Sequence, residues 1–557
     1  MNKTLRVRHR TREATFPPFS PRNFRDLSGG SVAASLPPEG FADVVLSVSG
    51  TTLAECVYLS GLFAPPALCS GIGHCGLCRV RFLSDPPPAH ESEIDALSHH
   101  DIDAGWRLAC RHAPIAGAHI IVPGLPVPNV QDISSVPGAE LQEGAFGLAV
   151  DLGTTSVHWR LVPLGGTAIP ADGVFGGSMV NPQMGAGSEV ISRLAYAERE
   201  GGTRVLRDLV TRALAFVVRE YAEKGYAVTQ ACVAANPAMT SILLGLDTTC
   251  LARAPYSLPF GGNVTKSVEG VPPVYIPPLI SPFVGSDISA GYAMLALGPD
   301  GPLPEFPFLL ADLGTNGECI LALSPSEALA VSLPMGPALE GVNLTFGSMA
   351  VPGAVTEYTL TPYGIEPVVM GGTAPTGITA TGYLSLLRIL RASGVVGEDG
   401  LFTRDAAGSR LIRAAGEELA GMGPGIRLPG KMVLYASDVE EILKVKAAFT
   451  LAVSRLLRTA SLPASRLNRI FLAGAMGTNV SLAALSGLGF FPTGIVSGNK
   501  VVPVGNTSLA GAALFLRNYT VRDTCAIWAE SVTTLNIASD STFGEEFARH
   551  MAFSWRA

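Results

Sequence analysis

Two stretches of this chain repeat one pattern, in which an apolar strand runs into a tight polar turn and a second strand follows. The first is AFGLAVDLGTTSVHWRLV (145–162), and the second is FPFLLADLGTNGECILAL (306–323). Their Asp-Leu-Gly-Thr turns begin at Asp151 and Asp312, which are 161 positions apart (312 minus 151). Because that separation is an ordinary domain length, the chain is predicted to contain two similar halves with one hairpin each.

These turns have the chemistry of a phosphate-binding site. A glycine after the strand lets the backbone approach a phosphate, and threonine hydroxyls and turn N–H groups can hydrogen-bond its oxygens. An aspartate at the strand end is suited to hold Mg²⁺ through water. A third element, RIFLAGAMGTNVSLAAL (469–485), brings another apolar strand into a pair of glycines. The residues predicted to surround Mg-ATP are Asp151, Gly153, Thr154, Thr155, Asp312, Gly314, Thr315, Asn316, Gly474 and Gly477.

Two other nucleotide-binding patterns are not supported. The chain has no G-x4-G-K-[ST] motif of a P-loop ATPase, and no Rossmann G-x-G-x-x-G is evident after its early strands. The remaining alternative is that all three elements are ordinary β-turns without a ligand.

Three cysteines lie close together in the glycine-rich loop CSGIGHCGLC. Cys69, Cys75 and Cys78 are spaced C-x5-C-x2-C, and Cys110 follows in WRLACRH. Three thiolates from one loop and a distant fourth form the ligand pattern of a [2Fe–2S] cluster. The loop glycines would allow backbone N–H groups to donate to the sulfurs. A zinc site is the alternative, although it would usually pair two C-x2-C knuckles, and a Rieske centre would need two ligand histidines.

Composition bears on the class and the compartment of the protein. The net charge is −7 with no long single-sign run, which argues against a nucleic-acid binder. Nine cysteines in 557 residues are far from a secreted disulfide scaffold, so a cytoplasmic location is expected. The best candidate for a membrane span, 471–491, contains the turn-forming segment GAMGTN, and a buried strand, loop and helix explain it better.

Two charged segments flank the cysteine loop. Residues 1–40 combine basic side chains with a Pro/Ser/Gly-rich stretch, and they are predicted to form a flexible basic extension, with a docking arm as the alternative. An acidic segment follows the loop, and it would either dock a basic electron donor or form a solvated face. Its members are Asp85, Glu91, Glu93, Asp95, Asp101 and Asp103.

The stretch from about residue 41 to 124 resembles the [2Fe–2S] ferredoxins, and its cysteine spacing looks more like the adrenodoxin side of that family. The two hairpins followed by a late glycine loop resemble the acetate kinase/sugar kinase/Hsp70/actin (ASKHA) superfamily. These resemblances imply an α/β and α+β multidomain protein: an N-terminal β-grasp domain, a linker, and a duplicated, ribonuclease H-like α/β ATPase. The predicted boundaries are 1–40 for the extension, 41–124 for the ferredoxin-like domain, 125–145 for a mobile linker, and 146–304 and 305–557 for the two ASKHA subdomains.

This combination of domains resembles the reductive activators of corrinoid proteins. Further stretches follow that family's order: NPQMGAGSEVISRL (181–194), the loop of Asn236, LISPFVGSDISAG (279–291), the block 333–355 and VPVGNTSLAGAA (502–513). One loop departs from the family. Residues 377–382 read Gly-Ile-Thr-Ala-Thr-Gly where the family usually has Gly-Ile-Cys-Gly-Ser-Gly, a loop associated with contact to the partner's corrin.

The resemblance implies an ATP-dependent enzyme that passes one electron from a [2Fe–2S] cluster to Co(II), regenerating Co(I). It implies the cofactors [2Fe–2S], ATP and Mg²⁺. It also implies two transient partners, a corrinoid protein or cobalamin-dependent methyltransferase and a low-potential electron donor. The oligomeric state stays open, with a homodimer as one option. The cluster ligands would be Cys69, Cys75, Cys78 and Cys110. The catalytic candidates are Asp151, Asp312 and Asp287, and Asp287 would position the attacking water.

Other functions remain compatible with the residues. A small-molecule kinase with a redox-sensing cluster would share the ATP site, since spacing does not identify a phosphoryl acceptor. A redox-gated binding module of the actin/Hsp70 type would hydrolyse ATP slowly and reduce nothing. An activator of a radical dehydratase would also combine an iron–sulfur cluster with an ATP site, although such proteins typically bridge a cluster between subunits.

Overall fold

A computed structural model describes most of the chain. The described residues are 4–10, 41–63, 65, 68, 71, 73, 76–123, 144–165, 176–298, 303–314, 316–335, 338, 344–348, 350, 352–403, 417–418, 424–474, 480–492, 495 and 500–556. The predicted linker therefore lies almost wholly outside the described residues. In the described part of the chain, no helix is both long enough and apolar enough to cross a bilayer.

The N-terminal domain is built on one five-stranded sheet with the order β2-β1-β5-β3-β4. Its strands are β1 (Thr4–Arg10), β2 (Phe41–Ser47), β3 (Arg79–Phe82), β4 (Trp106–Leu108) and β5 (His119–Ile121). Its helices are α1 (Leu53–Tyr58), α2 (Glu91–Ala96) and α3 (His99–Asp103), and a short 3-10 helix covers Ala109–Arg111. This small mixed domain matches the predicted ferredoxin-like class.

Strand β1 corrects one part of the prediction that residues 1–40 form a flexible extension, because residues 4–10 form a strand. It pairs antiparallel with β2 and parallel with β5, so it lies inside the sheet. Leu5 and Val7 are buried, whereas Arg6 is exposed. This alternation of apolar and polar residues is the period of a half-buried strand. The density of basic residues obscured it, because Arg6 and its basic neighbours resemble a solvated tail.

We expect Leu5→Ala to destabilise the N-terminal domain strongly. Leu5 is 1% exposed in the core of this domain, and truncating a buried leucine costs about 2–5 kcal/mol. Arg6→Ala, one residue along the same strand, faces solvent and serves as the matched control. Urea unfolding followed by intrinsic fluorescence measures both variants. Equal stability of the two proteins would contradict the placement of β1 in the core.

The rest of the chain contains two larger six-stranded sheets. The first has the order β10-β11-β9-β6-β7-β8 and the second β22-β21-β12-β13-β14-β23. The first sheet comprises β6 (Ala145–Leu152), β7 (Ser156–Pro163), β8 (Gly176–Val180), β9 (Ala227–Ala235), β10 (Val264–Val268) and β11 (Val271–Ile276). The second comprises β12 (Phe308–Leu313), β13 (Asn316–Ser324), β14 (Glu327–Pro334), β21 (Arg469–Ala473), β22 (Val501–Gly505) and β23 (Val532–Leu535).

Five strands of each sheet share one topology, which confirms the predicted duplication, and the sixth strand lies at opposite edges of the two sheets. In the first, β6, β7 and β8 form an antiparallel meander, β9 runs parallel to β6, and β11 runs parallel to β9. In the second, β12, β13 and β14 form the meander, β21 runs parallel to β12, and β22 runs parallel to β21. Both polar turns therefore occupy the same position, between the first two strands of a half.

Helices and small sheets complete the two halves. The first half has α4 (Val190–Ala197), α5 (Gly202–Glu223), α6 (Pro237–Leu244), α7 (Thr249–Ala252), α8 (Ser286–Ala296) and a 3-10 helix (Pro182–Ala186). The second has α9 (Ala380–Ala392), α10 (Ala436–Thr459), α11 (Leu482–Gly487), α12 (Thr507–Arg517), α13 (Tyr519–Ser531) and α14 (Phe543–His550). Its short strands are β15 (Ala354–Thr361), β16 (Gly364–Val369), β17 (Gly377–Ile378), β18 (Glu417–Glu418), β19 (Pro424–Arg427) and β20 (Val433–Tyr435).

Helices α8 and α12 join the two halves. They approach so closely that a Cβ atom on Gly511 would lie 2.0 Å from the Ala290 carbonyl oxygen. A Cβ atom on Gly291 would lie 2.8 Å from Thr507 Oγ1. Both helices belong to one buried core that includes strands of both sheets. The predicted boundary between residues 304 and 305 thus separates the two sheets but divides a shared core.

Candidate nucleotide and cluster sites

The turn between β6 and β7 has a tightly constrained backbone. A Cβ atom on Gly153 would lie 2.7 Å from the Ser156 carbonyl oxygen, so the turn requires glycine at this position. Thr154 and Thr155 are buried. The Thr154 hydroxyl accepts a hydrogen bond from Asn236 Nδ2 at 3.1 Å. The predicted phosphate turn is therefore ordered by neighbouring elements and not only by its own sequence.

Side chains from the stretch 181–194 support this turn from behind. Asn181 Nδ2 donates to the Gly153 carbonyl oxygen at 2.7 Å, and the Asn181 backbone N–H donates to Thr155 O at 2.8 Å. The fully buried Arg193 guanidinium donates to the Thr154 carbonyl oxygen. The sequence suggested this stretch only through resemblance. Its role as a support for the turn comes from the tertiary structure.

The second turn lies beside the third glycine element. Gly314 N–H donates to Asn316 O at 3.2 Å, and Asp312 ends the apolar run of β12. Gly474 directly follows β21, the neighbour of β12, and has a φ of +79°. A Cβ atom on Gly474 would lie 2.3 Å from Asp312 Oδ1. The structure thus brings these predicted residues together, whereas Thr315 and Gly477 lie outside the described residues.

Asp151 connects the two halves across the cleft. Its Oδ2 accepts a hydrogen bond from Asn506 Nδ2 at 2.7 Å, and its Oδ1 accepts one from Ser508 Oγ at 2.9 Å. Asn506 also caps α12, because its Oδ1 accepts from Leu509 N at 2.7 Å. A nucleotide that engaged Asp151 would therefore alter contacts with the start of α12. Sequence spacing does not reveal this pairing, since its members are more than 350 residues apart.

Four carboxylates influence one another around the two turns: Asp151, Asp287, Asp312 and Glu318. Burial raises the pKa of Asp287 to about 7, and the charge of Asp151 adds to this effect. Burial also raises the pKa of Glu318 well above its ordinary value, with further contributions from Asp287 and Asp312. Such mutual repulsion favours a bound cation or retained protons.

Glu318 is a member of this group that the sequence reasoning missed. It lies opposite Asp312 in the β12–β13 register and is 5% exposed. Its Oε1 is buried without a hydrogen-bond partner among the described residues. The sequence signal that could have identified Glu318 is that it is the single charge in the otherwise uncharged strand Asn316–Ser324. Within the described part of the chain, no group of three or more His, Cys, Asp or Glu side chains is arranged to hold a metal ion.

Asp287→Asn should stabilise the metal-free protein at high pH and not at low pH. Asp287 has a folded pKa of about 7, against about 3.9 in an unfolded chain. Between these values the folded state retains a proton that the unfolded state has lost, so wild-type stability falls as pH rises through this window. Thermal unfolding with EDTA at pH 5 and pH 8 tests this. The control is Asp208→Asn, which changes a carboxyl group on an exposed side chain. An effect of Asp287→Asn that does not depend on pH would contradict the raised pKa of Asp287.

Cys78 and Cys110 lie at the same end of the antiparallel pair of strands β3 and β4. Cys78 precedes β3, Cys110 follows β4, and these strands pair antiparallel. The Ala109 N–H also donates to the Cys78 carbonyl oxygen at 2.9 Å. The Cys78 side chain is buried and the Cys110 side chain is partly exposed. Cys69 and Cys75 lie outside the described residues.

The described part of the loop fits a cluster. Gly71, Gly73 and Gly76 have φ values of +85°, +91° and +65°, a left-handed conformation that glycine adopts without strain. Arg111 Nη1 donates to the Gly71 carbonyl oxygen at 3.1 Å. A loop wound in this way, with two cysteines beside it, suits [2Fe–2S] ligation and the donation of backbone N–H groups to sulfur.

Two members of the acidic segment, Glu93 and Asp101, are buried and not part of a solvated face. Glu93 is fully buried and accepts hydrogen bonds from Leu108 N, from His90 N at 2.6 Å and from His112 Nε2 at 2.9 Å. Burial alone would raise the pKa of Glu93, but the hydrogen bonds from His112, Leu108 and His90 leave it below its ordinary value. Glu93 therefore ties α2 to the segment that carries Cys110.

The loop that departs from the resembled family is held by its own hydroxyls. Thr379 caps α9, and its Oγ1 lies 2.8 Å from Thr381 Oγ1. The Thr381 hydroxyl in turn donates to the Thr356 carbonyl oxygen at 2.9 Å. Both hydroxyls are thus engaged within the protein, and this loop differs from a Cys-Gly-Ser loop in shape and in available hydrogen bonds.

Three family models match this chain in sequence order. The model "2Fe-2S iron-sulfur cluster binding domain" matches residues 42–114, "RACo middle region" matches 146–298, and "C-terminal domain of RACo the ASKHA domain" matches 307–556. The two RACo models together cover more than two thirds of the chain.

Relatives span most of the chain. "Corrinoid activation enzyme RamQ" from Eubacterium limosum is 26% identical over 465 residues, covering 78% of this chain and 74% of that protein. "[Co(II) methylated amine-specific corrinoid protein] reductase" from Methanosarcina barkeri is 24% identical over 453 residues, covering 73% and 77%. Among solved structures, "Reductive activator for corrinoid,iron-sulfur protein" shares the fold, with a TM-score of 0.62, 23% identity and coverage of 92% and 97%. The chain therefore belongs to the RACo family, with a 2Fe-2S cluster binding domain ahead of the RACo middle region and the C-terminal ASKHA domain.

Proposed function

We propose that this protein is an ATP-dependent reductive activator of a corrinoid protein. The observation that carries this proposal is that one chain joins a 2Fe-2S cluster binding domain to an ASKHA cleft. In that cleft Asp151 bonds across to the opposite half through Asn506 and Ser508. The relatives whose names state an activity act on corrinoid proteins, which supports the same class of partner here.

A cluster at this site supplies one electron at a time. Cys78 and Cys110, with Cys69 and Cys75 from the same loop, would hold it as thiolates. Arg111 orders the loop backbone through Gly71, and Glu93 positions the strand end beside Cys110. These contacts fix the backbone around the cluster site.

The ASKHA residues would bind Mg-ATP between the two halves. Gly153, Thr154 and Gly474 would approach the phosphates, because their backbone conformations allow close contact. Asp151, Asp312 and Glu318 would hold hydrated Mg²⁺, which relieves the repulsion among buried carboxylates. Asp287 would accept a proton from an attacking water, since a pKa of about 7 suits a general base.

Such a protein would consume ATP if the reduction potential of its cluster is not low enough to reduce Co(II). Plant-type [2Fe–2S] clusters have reduction potentials of about −400 mV. If the Co(II)/Co(I) couple lies lower, each ~59 mV of mismatch costs a factor of ten in the equilibrium ratio for one electron. ATP can offset that deficit only if it binds two conformations of the protein with different affinities. The Asp151 contacts with α12 provide a candidate difference between such conformations.

The test combines the reduced protein, Mg-ATP and a corrinoid protein held as Co(II), and it follows the cobalt absorption spectrum. We expect Co(I) to appear with ATP and not without it. Appearance of Co(I) at the same rate without ATP would overturn the coupling, and its failure to appear with any corrinoid protein would overturn the activity. A small-molecule kinase would instead give a phosphorylated product and turn over without its cluster.

A further inference from the structure

The ferredoxin-like domain docks on the first ASKHA half through the end of helix α1. A Cβ atom on Gly185, within the 3-10 helix Pro182–Ala186, would lie 2.9 Å from both Leu59 Cδ2 and Tyr58 Cβ. Leu59 is partly buried and packs against the hydrophobic core of that half. Gly185 therefore has no room for a side chain while the two domains are docked.

Two contacts extend this interface along the neighbouring helices. Arg199 Nη1, just beyond α4, donates to Glu55 Oε1 of α1 at 2.9 Å. The Glu55 side chain is only 11% exposed. A Cβ atom on Gly61 would lie 3.2 Å from Leu209 Cδ2 of α5. The interface thus combines a small apolar centre with an ion pair that is partly shielded from solvent.

The surface that receives α1 is the same one that supports the phosphate turn. Asn181, which caps the 3-10 helix, donates to the Gly153 carbonyl oxygen. Gln183 lies within that helix and accepts from Arg193 Nη1 at 3.2 Å. Arg193 of α4 donates to the Thr154 carbonyl oxygen. The side chains of Asn181, Gln183 and Arg193 are all fully buried, so displacement of the 3-10 helix would move the turn.

The other end of α1 contacts the segment of a predicted cluster ligand. The Leu53 N–H at the start of α1 donates to the His112 carbonyl oxygen at 2.7 Å. His112 lies two residues after Cys110. Helix α1 therefore spans from the Cys110 segment to the 3-10 helix beneath the phosphate turn.

We infer that docking of the ferredoxin-like domain and binding of nucleotide are thermodynamically coupled through α1 and the 3-10 helix Pro182–Ala186. Docking holds Asn181 and Arg193 in the positions that order the Gly153–Thr155 turn, so it strengthens nucleotide binding. By linkage, nucleotide favours the docked arrangement by the same factor. This inference rests on the proposed ATP site, but it concerns regulation of that site by the electron-carrying domain.

Gly185→Leu tests the coupling, because the atoms nearest to a Cβ at this position belong to Tyr58 and Leu59 at the end of α1. The matched control is Gly261→Leu, an exposed glycine of the same half with open space around it. Small-angle scattering of the full chain reports docking, and calorimetry reports the Kd for Mg-ATP. We expect Gly185→Leu to increase the radius of gyration and to raise the Kd at least about fivefold, with neither change in the control.

Leu59→Ser provides a second variant whose change lies entirely in the ferredoxin-like domain. It removes the apolar contact and leaves every residue of the ASKHA halves intact, so a raised Kd in this variant cannot come from local damage to the nucleotide site. Undocked variants with the wild-type Kd would overturn the coupling. A wild-type protein that binds no Mg-ATP would instead overturn the proposed function, so the two failures are distinguishable.

Discussion

Cys110→Ser is expected to abolish the visible absorption of a [2Fe–2S] cluster and all ATP-dependent reduction of a corrinoid protein. Cys78 precedes β3 and Cys110 follows β4, so the two cysteines lie at the same end of this antiparallel strand pair. A serine hydroxyl is a far weaker ligand than a thiolate, since it does not ionise near neutral pH. Ultraviolet–visible and electron paramagnetic resonance spectra after anaerobic purification measure the loss.

The N-terminal domain offers a matched control in Cys56. This thiol is buried, but it lies in α1, and its Sγ donates a hydrogen bond to the Ser47 carbonyl oxygen at 3.5 Å. Burial raises the pKa of Cys56, which disfavours the thiolate that a cluster requires. Cys56→Ala should therefore retain the full spectrum. Retention of the spectrum in Cys110→Ser, or its loss in Cys56→Ala, would contradict the ligand assignment.

The second large effect is expected from Gly474→Ala, which should weaken Mg-ATP binding about 100-fold. The residue has a φ of +79°, where a side chain is strained, and such strain costs about 1–3 kcal/mol. In addition, the new Cβ atom would lie 2.3 Å from Asp312 Oδ1, so the carboxylate must move away from the site. A factor of ten corresponds to about 1.4 kcal/mol, so about 3 kcal/mol gives the expected loss.

Gly394→Ala separates the two contributions. Gly394 lies in the same half and has a φ of +70°, but a Cβ atom there would meet nothing within 4 Å. It therefore carries the backbone strain without displacing a carboxylate. Calorimetric titration with Mg-ATP compares both variants with the wild type. If the two variants bind equally well, the approach of Gly474 to Asp312 has no part in nucleotide binding.

Local patterns predicted much of the architecture. The repeated Asp-Leu-Gly-Thr turns predicted two similar halves, and the structure has two sheets with five strands in a common topology and a turn at the equivalent place in each. Such signals are readable because a turn between two apolar strands is set by consecutive residues. The same locality explains why the glycine-rich cysteine loop predicted its backbone, which the described glycines Gly71, Gly73 and Gly76 adopt.

Other predictions failed where composition concealed a local pattern. Thr4–Arg10 was predicted as part of a basic extension, yet it forms a strand inside a sheet, and residues 4–7 alternate between exposed and buried. Glu93 was predicted with a surface segment, yet it is a buried hydrogen-bond acceptor. In both cases the charge of a side chain suggested solvent, whereas its environment depends on partners that are distant in sequence.

The sequence by itself determined the elements of this protein: the two phosphate-type turns, the cysteine loop, the order of the domains and the family to which they belong. Only the tertiary structure decided which elements act on one another. It paired Asp151 with Asn506 and Ser508, added Glu318 to the carboxylates, and placed α1 against the helix that supports the first turn. The physical reason is that these contacts join residues tens to hundreds of positions apart. Their energies depend on packing and burial, which no local pattern encodes.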